Sequence, residues 1–361
     1  MKKRFMILSL ILLMLLGSTP LTPATGITEE VIQEHHWTLT RDLRVVNLYR
    51  YRNPYDTKLT PIILVPGWTE NHLIFDQSEL IEDRSIAKYL AKDMRDVWVI
   101  DLRTHDTDGD PGTAAENEEL MNKYWDFDQT YVQKDLVAAF NYIQWKTGKE
   151  SFVLGGHSLG GSLAIAYAEM IGQENIAGIM AFASPGKPMP IPPEFKLLRA
   201  LYCDETGHVK LLAPRNFDPN NADLIRLMFA DMASYDEGSA TEWWLNWSYM
   251  GTLNDEPAGL CADLWWGMDS ELHDHWLDPD GYDYTFHMSE ITVPFLGVCG
   301  IQDEMVPIEQ ATAFFNDNLL GSSDTTSLVF DGYGHIDIMI GQNAPVEVYP
   351  EIRDWLNNRF P

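Results

Sequence analysis

Residues 151–168 read Ser-Phe-Val-Leu-Gly-Gly-His-Ser-Leu-Gly-Gly-Ser-Leu-Ala-Ile-Ala-Tyr-Ala, and few folds accommodate such a run. Phe152, Val153 and Leu154 are strand-formers. From Ser162 onward small and aliphatic residues give the composition of a buried helix. Between them, Gly156-His157-Ser158-Leu159-Gly160 is a G-x-S-x-G. A chain that passes from strand to helix in so few residues has no room for Cβ atoms at the flanks of the turn, and glycine removes them. Ser158 then stands at a helix N-terminus, where backbone N–H groups and the helix dipole favour a developing negative charge. Such a place suits acyl transfer through the serine hydroxyl.

The flanking segments alternate in the same way. Residues 37–40 and 43–51 read as paired strands around Arg41-Asp42. Residues 61–65 form a fully apolar strand that ends at Pro66-Gly67-Trp68, and residues 97–100 form another. Residues 85–92 have helical spacing, residues 132–145 an amphipathic helical pattern closed by Thr147-Gly148, and residues 176–182 a further strand. Buried strands alternating with helices imply a mostly parallel sheet covered on both faces, with reactive groups gathered at the carboxyl ends of its strands.

Several pieces together resemble the α/β-hydrolase superfamily. They are Leu64-Val65-Pro66-Gly67-Trp68, residues 96–103, the glycine-rich turn at 156–161, Val293-Pro294-Phe295-Leu296 with Gly300-Ile301-Gln302-Asp303, and Gly332-Tyr333-Gly334-His335. Within it the chain is most similar to the branch of acid-lipase-like and polyhydroxyalkanoate-synthase-like hydrolases, through residues 127–139 and the tail from Gly334-His335-Ile336-Asp337 to Trp355-Leu356. The polymer synthases of that branch carry cysteine where this chain has Ser158, a departure that favours hydrolysis. The resemblance implies an α/β-hydrolase fold, a mostly parallel central sheet flanked by helices, with an inserted, mainly helical cap. It also implies a triad: Ser158 as nucleophile, His335 as base and Asp303 as its orienting acid. The oxyanion hole falls to the backbone N–H groups of Trp68 and Leu159. The histidine usual before Gly67 is replaced by Pro66. Among rival groups, Glu304, Asp331 and Asp337 read as solvated or loop-bonded carboxylates, His157 as an orienting or packing residue, and His35-His36 as surface.

The domain order expected is a signal peptide at 1–26, the first part of the core at 27–185, a cap or lid at 186–285 and the second part of the core at 286–361. Lys2, Lys3 and Arg4 precede an apolar stretch at 5–16 and a small-residue tail, the pattern of a segment removed on export. The stretch is shorter than the roughly 20 residues that span a bilayer, so the mature chain is expected to carry no stable membrane insertion. The cap holds the apolar run 224–229 and the cluster Trp243, Trp244, Trp247, Tyr249, Met250, Trp265, Trp266 and Trp276. As a whole it reads as an apolar lid over the site; each tryptophan reads first as part of the cap's own core.

With 361 residues and a formal net charge of −29, the chain offers no basic surface for nucleic acid or anionic lipid. Of three cysteines, Cys203 and Cys261 are expected to pair and Cys299 to be a buried strand residue. Asp106, Asp108 and Asp110 imitate the start of a calcium loop, but Pro111 stands where glycine is required; His273-Asp274-His275 with Asp278 and Asp280 is an equally weak metal pattern. Asn246-Trp247-Ser248 fits a glycosylation sequon. The expectation is thus an exported, cofactor-free serine hydrolase of apolar or aromatic carboxylic esters, with small-molecule or lipid substrates. Its alternatives are an acyltransferase or thioesterase, a peptidase or amidase on the same triad, and a non-catalytic binding protein of the same fold.

Overall fold

The computed structural model describes residues 31–55, 59–79, 83–103, 126–191 and 267–361. The expected signal peptide, the helical run and aromatic cluster of the cap apart from Trp276, Cys203, Cys261, the acidic loop at 106–110 and Asn246 lie outside them.

Eight strands form one sheet: β1 Ile32–Leu39, β2 Val45–Arg52, β3 Ile62–Val65, β4 Val97–Asp101, β5 Phe152–His157, β6 Ile176–Phe182, β7 Phe295–Gly300 and β8 Thr325–Phe330. Their order is β1-β2-β4-β3-β5-β6-β7-β8. β2 runs antiparallel to β1 and β4, and every pair from β4 to β8 is parallel. The chain lays β4 on one side of β3 and then returns to lay β5 on the other. β3 and β5 therefore flank the point where the winding reverses, and open sheets of this kind gather their reactive groups beyond the carboxyl ends of such strands.

Strand alternation divides the core in two. Ile62 and Leu64 face one layer, with Val153, Met180, Leu296, the helix α1 (Ile86–Lys92) and the C-terminal helix Tyr349–Arg359. Ile63 and Val65 face the other, with Leu154, Ile179, Phe295 and the helices α2 (Val137–Thr147) and α3 (Leu159–Met170). All four residues of β3 are fully buried, as a strand covered on both faces requires. α1 begins where Ser85 accepts a hydrogen bond from Lys88 N, and α2 stops at Gly148, φ 67°.

Three local readings differ from the sequence. The strand expected from Trp37 starts at Ile32, and its alternation turns His36 onto a covered face against Trp98 and Tyr142; His35 is exposed. The helix expected at 132–145 is preceded by a π-helical segment, Phe127–Leu136, whose wide turns place Phe127, Tyr131 and Asp135 together on the buried side. Residues 267–285 contribute Met268, Trp276 and Tyr284 to the core layer of α2 and α3, where Trp276 packs on Phe127. No helix among the described residues is long and apolar enough to cross a membrane.

Candidate active site

β5 ends at His157 and α3 begins at Leu159, leaving Ser158 alone to turn the chain, with φ 51° and ψ −119°. A residue with a Cβ adopts that conformation at a cost of about 1–2 kcal/mol, so the surroundings must impose it. They do so through the main chain. Ser158 N donates to Phe182 O of β6 at 2.7 Å, and Ser158 O accepts from Gly161 N at 3.1 Å and Ser162 N at 3.3 Å. The glycines are required by close approach. A Cβ on Gly156 would overlap the backbone of Gly160, one on Gly160 the carbonyl of Val65 in β3, and one on Gly161 the hydroxyl of Ser184. Ser158 itself is half-buried between buried neighbours.

Asp303 follows β7 and His335 follows β8. His335 Nδ1 lies 2.8 Å from Asp303 Oδ2, and both side chains are buried. The other oxygen, Oδ1, accepts from Met305 N at 2.9 Å and Val306 N at 2.8 Å. The carboxylate thus meets the imidazole with one face only, which holds the hydrogen on Nδ1 and leaves Nε2 free to accept. The two loops are laced together: Gln302 Oε1 accepts from Gly332 N at 2.7 Å and Tyr333 N at 3.2 Å, and a Cβ on Gly300 would overlap the Tyr333 carbonyl. Gly334 N donates to the buried Asp337 at 2.8 Å, whereas Glu304 and Asp331 are exposed, Asp331 accepting from Gln302 Nε2. Cys299 is a buried free cysteine in β7; burial first, and then the charge of Asp303, push its thiol up to about 12.

The loop after β3 borders the same turn. A Cβ on Gly67 would stand 3.1 Å from the His157 carbonyl, so the backbone at Gly67 passes beside the residue that precedes Ser158, and Leu159, which follows Ser158, opens α3. Ser158, Asp303, His335, Trp68 and Leu159 therefore emerge at the carboxyl ends of parallel neighbours or next neighbours in the sheet.

Sequence reasoning passed over Glu70. It is buried, its Oε2 accepts from Gly67 N at 2.7 Å, and it lies 2.8 Å from His157 Nδ1. The available signal was a carboxylate three residues beyond Gly67 in a loop that follows a buried strand. Asp101 at the end of β4 is a second such case: it receives His72 N at 2.5 Å and faces His72 Nδ1 at 2.9 Å. Among the described residues no group of three or more His, Cys, Asp or Glu is placed to hold a metal ion. In the histidine-rich stretch His275 faces Asp283 at 2.7 Å, and Asp278 accepts from Tyr282 N at 2.8 Å.

The strand order, the strained serine turn and the loops at the strand ends define an α/β-hydrolase fold. The family model for the alpha/beta hydrolase fold matches residues 60–217. A thermophilic esterase from Thermogutta terrifontis superposes with a TM-score of 0.57 at 19% identity, over 91% of this chain and 100% of that one. The chain has the α/β-hydrolase fold. Its sequence is also similar to two poly(3-hydroxyalkanoate) polymerase subunits, PhaC, which fits the polyhydroxyalkanoate-synthase-like branch. That from Haloferax mediterranei is 22% identical over 333 residues, 87% of this chain and 62% of that protein. That from Allochromatium vinosum is 40% identical over 72 residues, 20% of this chain and 19% of that protein. The chain thus spans less than two thirds of either polymerase subunit.

Proposed function

We propose that this chain hydrolyses carboxylic esters through an acyl-serine intermediate, with Ser158 as nucleophile, His335 as base and Asp303 as the acid that orients it. The observation that carries the reading is the Asp303–His335 contact at 2.8 Å, set at the same edge of the sheet as a serine held at φ 51°. His335 Nε2 takes the Ser158 proton as Oγ attacks the ester carbonyl. The oxyanion is received by the N–H groups of Leu159 and Trp68, and His335 returns the proton to the departing alcohol. Water repeats the cycle on the acyl-serine and releases the acid. No cofactor enters the scheme.

The substrate class proposed is an ester of an apolar acyl or aromatic group, on the strength of the tryptophan-rich segment at 243–276 and the esterase among the structural relatives. The reading extends to export, from Lys2-Lys3-Arg4 and the apolar stretch after them. N-terminal sequencing of the chain released by expressing cells tests it; an intact Met1 on released protein overturns it.

A second reading, acyl transfer from a thioester by the same serine, has one observation in its favour: both curated relatives are polymerase subunits. The deciding experiment is turnover of a p-nitrophenyl ester series, acetate to palmitate, beside a 3-hydroxyacyl thioester with and without added alcohol, using the wild type and Ser158→Ala. Ester cleavage lost in Ser158→Ala supports the hydrolase. Ester product formed only from the thioester and alcohol supports transfer, and no reaction in either arm refutes both.

A further inference from the structure

His157 precedes the proposed nucleophile and is fully buried. Its Nε2 lies 3.0 Å from the carbonyl oxygen of His335, and its Nδ1 lies 2.8 Å from Glu70 Oε2. A carbonyl oxygen only accepts, so Nε2 carries a hydrogen. Glu70 Oε2 already accepts from Gly67 N at 2.7 Å, the role of a carboxylate oxygen, so Nδ1 carries one as well. With a hydrogen on both nitrogens the ring is a cation, and Glu70, 2% exposed, is its counter-ion. Facing the Glu70 carboxylate, a neutral ring would turn a lone pair toward one of these two acceptors and leave a buried group unsatisfied. The other groups that face the ring are His335, tilted with ring centroids 4.7 Å apart, and the charge of Asp303 behind it.

The pair touches three segments at once. Glu70 grips Gly67, one residue before the Trp68 N–H; His157 adjoins Ser158; and the His335 carbonyl belongs to the residue whose ring meets Asp303. We propose that the Glu70–His157 ion pair is a positioning device that locks the Trp68 loop and the His335 loop in register across the Ser158 turn. This rests on the ester-hydrolase reading for its kinetic consequence, and on geometry alone for the coupling of the two loops. Burial works against a charge on the ring, and the facing Glu70 carboxylate outweighs it, holding His157 above the usual histidine range.

The experiment compares the wild type with Glu70→Gln, which keeps the side chain's shape and an acceptor oxygen. Nitrogen-15 NMR of the histidine rings reads the protonation of His157, and the low-field Nδ1–H signal of His335 reads the coupling. The rate of Ser158 labelling by a fluorophosphonate and kcat against KM on a p-nitrophenyl ester read the register. In the wild type both His157 nitrogens are expected to stay protonated at about pH 8, above the ordinary histidine range. In Glu70→Gln the ring loses a proton there, the His335 signal moves, and labelling and kcat fall about tenfold to a hundredfold with KM little changed. A singly protonated His157 in the wild type overturns the proposal, as does a variant with an unmoved His335 signal and wild-type labelling. Should Glu70→Gln fail to fold, the wild-type ring measurement decides. If the wild type neither cleaves esters nor takes the label, the ester reading falls by itself, and movement of the His335 signal alone upholds or overturns the coupling.

Discussion

Asp303 meets His335 with a single oxygen, because its other oxygen is already committed to the backbone N–H groups of Met305 and Val306. Asparagine at 303 can keep the backbone bonds through its carbonyl, but then turns its NH2 group toward Nδ1 and imposes the wrong imidazole tautomer. Asp303→Asn is expected to fold like the wild type while kcat on a p-nitrophenyl ester falls about 10⁴-fold. Steady-state kinetics with a melting curve check this; unchanged turnover removes Asp303 from the triad.

Gly160 lies so close to the Val65 carbonyl that a Cβ cannot be added without parting α3 from β3. Gly160→Ala is expected to cost about 3 kcal/mol or more, or to abolish soluble expression. Gly148→Ala provides the control: its φ is 67° but nothing lies within 4 Å of the added atom, so only about 1–2 kcal/mol is at stake. Urea unfolding of both variants separates close approach from backbone conformation.

The buried Arg103 reaches Asp135 with Nε at 2.8 Å and Nη2 at 2.5 Å, and Asp42 with Nη1 at 2.7 Å. Asp135 is fully buried on the π-helical segment, and burial holds its carboxyl above the usual range in spite of the guanidinium. Arg103→Leu strands that carboxylate and is expected to cost about 3–5 kcal/mol. Adding Asp135→Leu to the same chain should recover part of the loss, which urea unfolding of the single and double variants measures.

Glu169, on the last turns of the helix that follows Ser158, is pushed up to about 9, by burial first and then by the charges of Glu290 and Asp283. In the unfolded chain a glutamate titrates near about 4.3. Between these values the folded state keeps a proton that the unfolded state releases, so the unfolded state binds fewer protons and stability declines as pH rises. Glu169→Gln removes this decline. The variant is expected to match the wild type near pH 4.5 and to gain on it steadily up to about pH 9, where the difference levels off. Unfolding midpoints at three pH values test the slope; a constant difference refutes it.

What could be read from the sequence was whatever is encoded locally. Gly156, Gly160 and the apolar β5 mark a strand-to-helix turn within a few residues, and Asp303 and His335 follow short apolar runs that became β7 and β8. Glu70 was invisible because its meaning depends on His157, 87 positions away, and only the parallel pairing of β3 with β5 brings them together. Arg103 and Asp135 are likewise joined by the fold alone. The start of β1 was hidden by composition: Gln33 and His35 are polar because an edge strand leaves one face to solvent, and Glu34, on the other face, is polar because it pairs with Arg50 and Arg52. The π-helical turn at Phe127–Leu136 escaped because its period lies too near that of an ordinary helix for one sequence to tell them apart.

Every hydrogen bond that holds Ser158 at positive φ uses backbone atoms. The turn's shape therefore belongs to the place and not to the hydroxyl. In evolutionary terms the side chain at 158 is the replaceable part of this turn and the glycines around it are the fixed part. Exchange of the oxygen at 158 for sulfur, the atom expected there in polymer synthases, disturbs no backbone contact and needs one codon change. A lineage can thus change the atom presented at 158 without rebuilding the scaffold, whereas drift at Gly156 or Gly160 is closed to it.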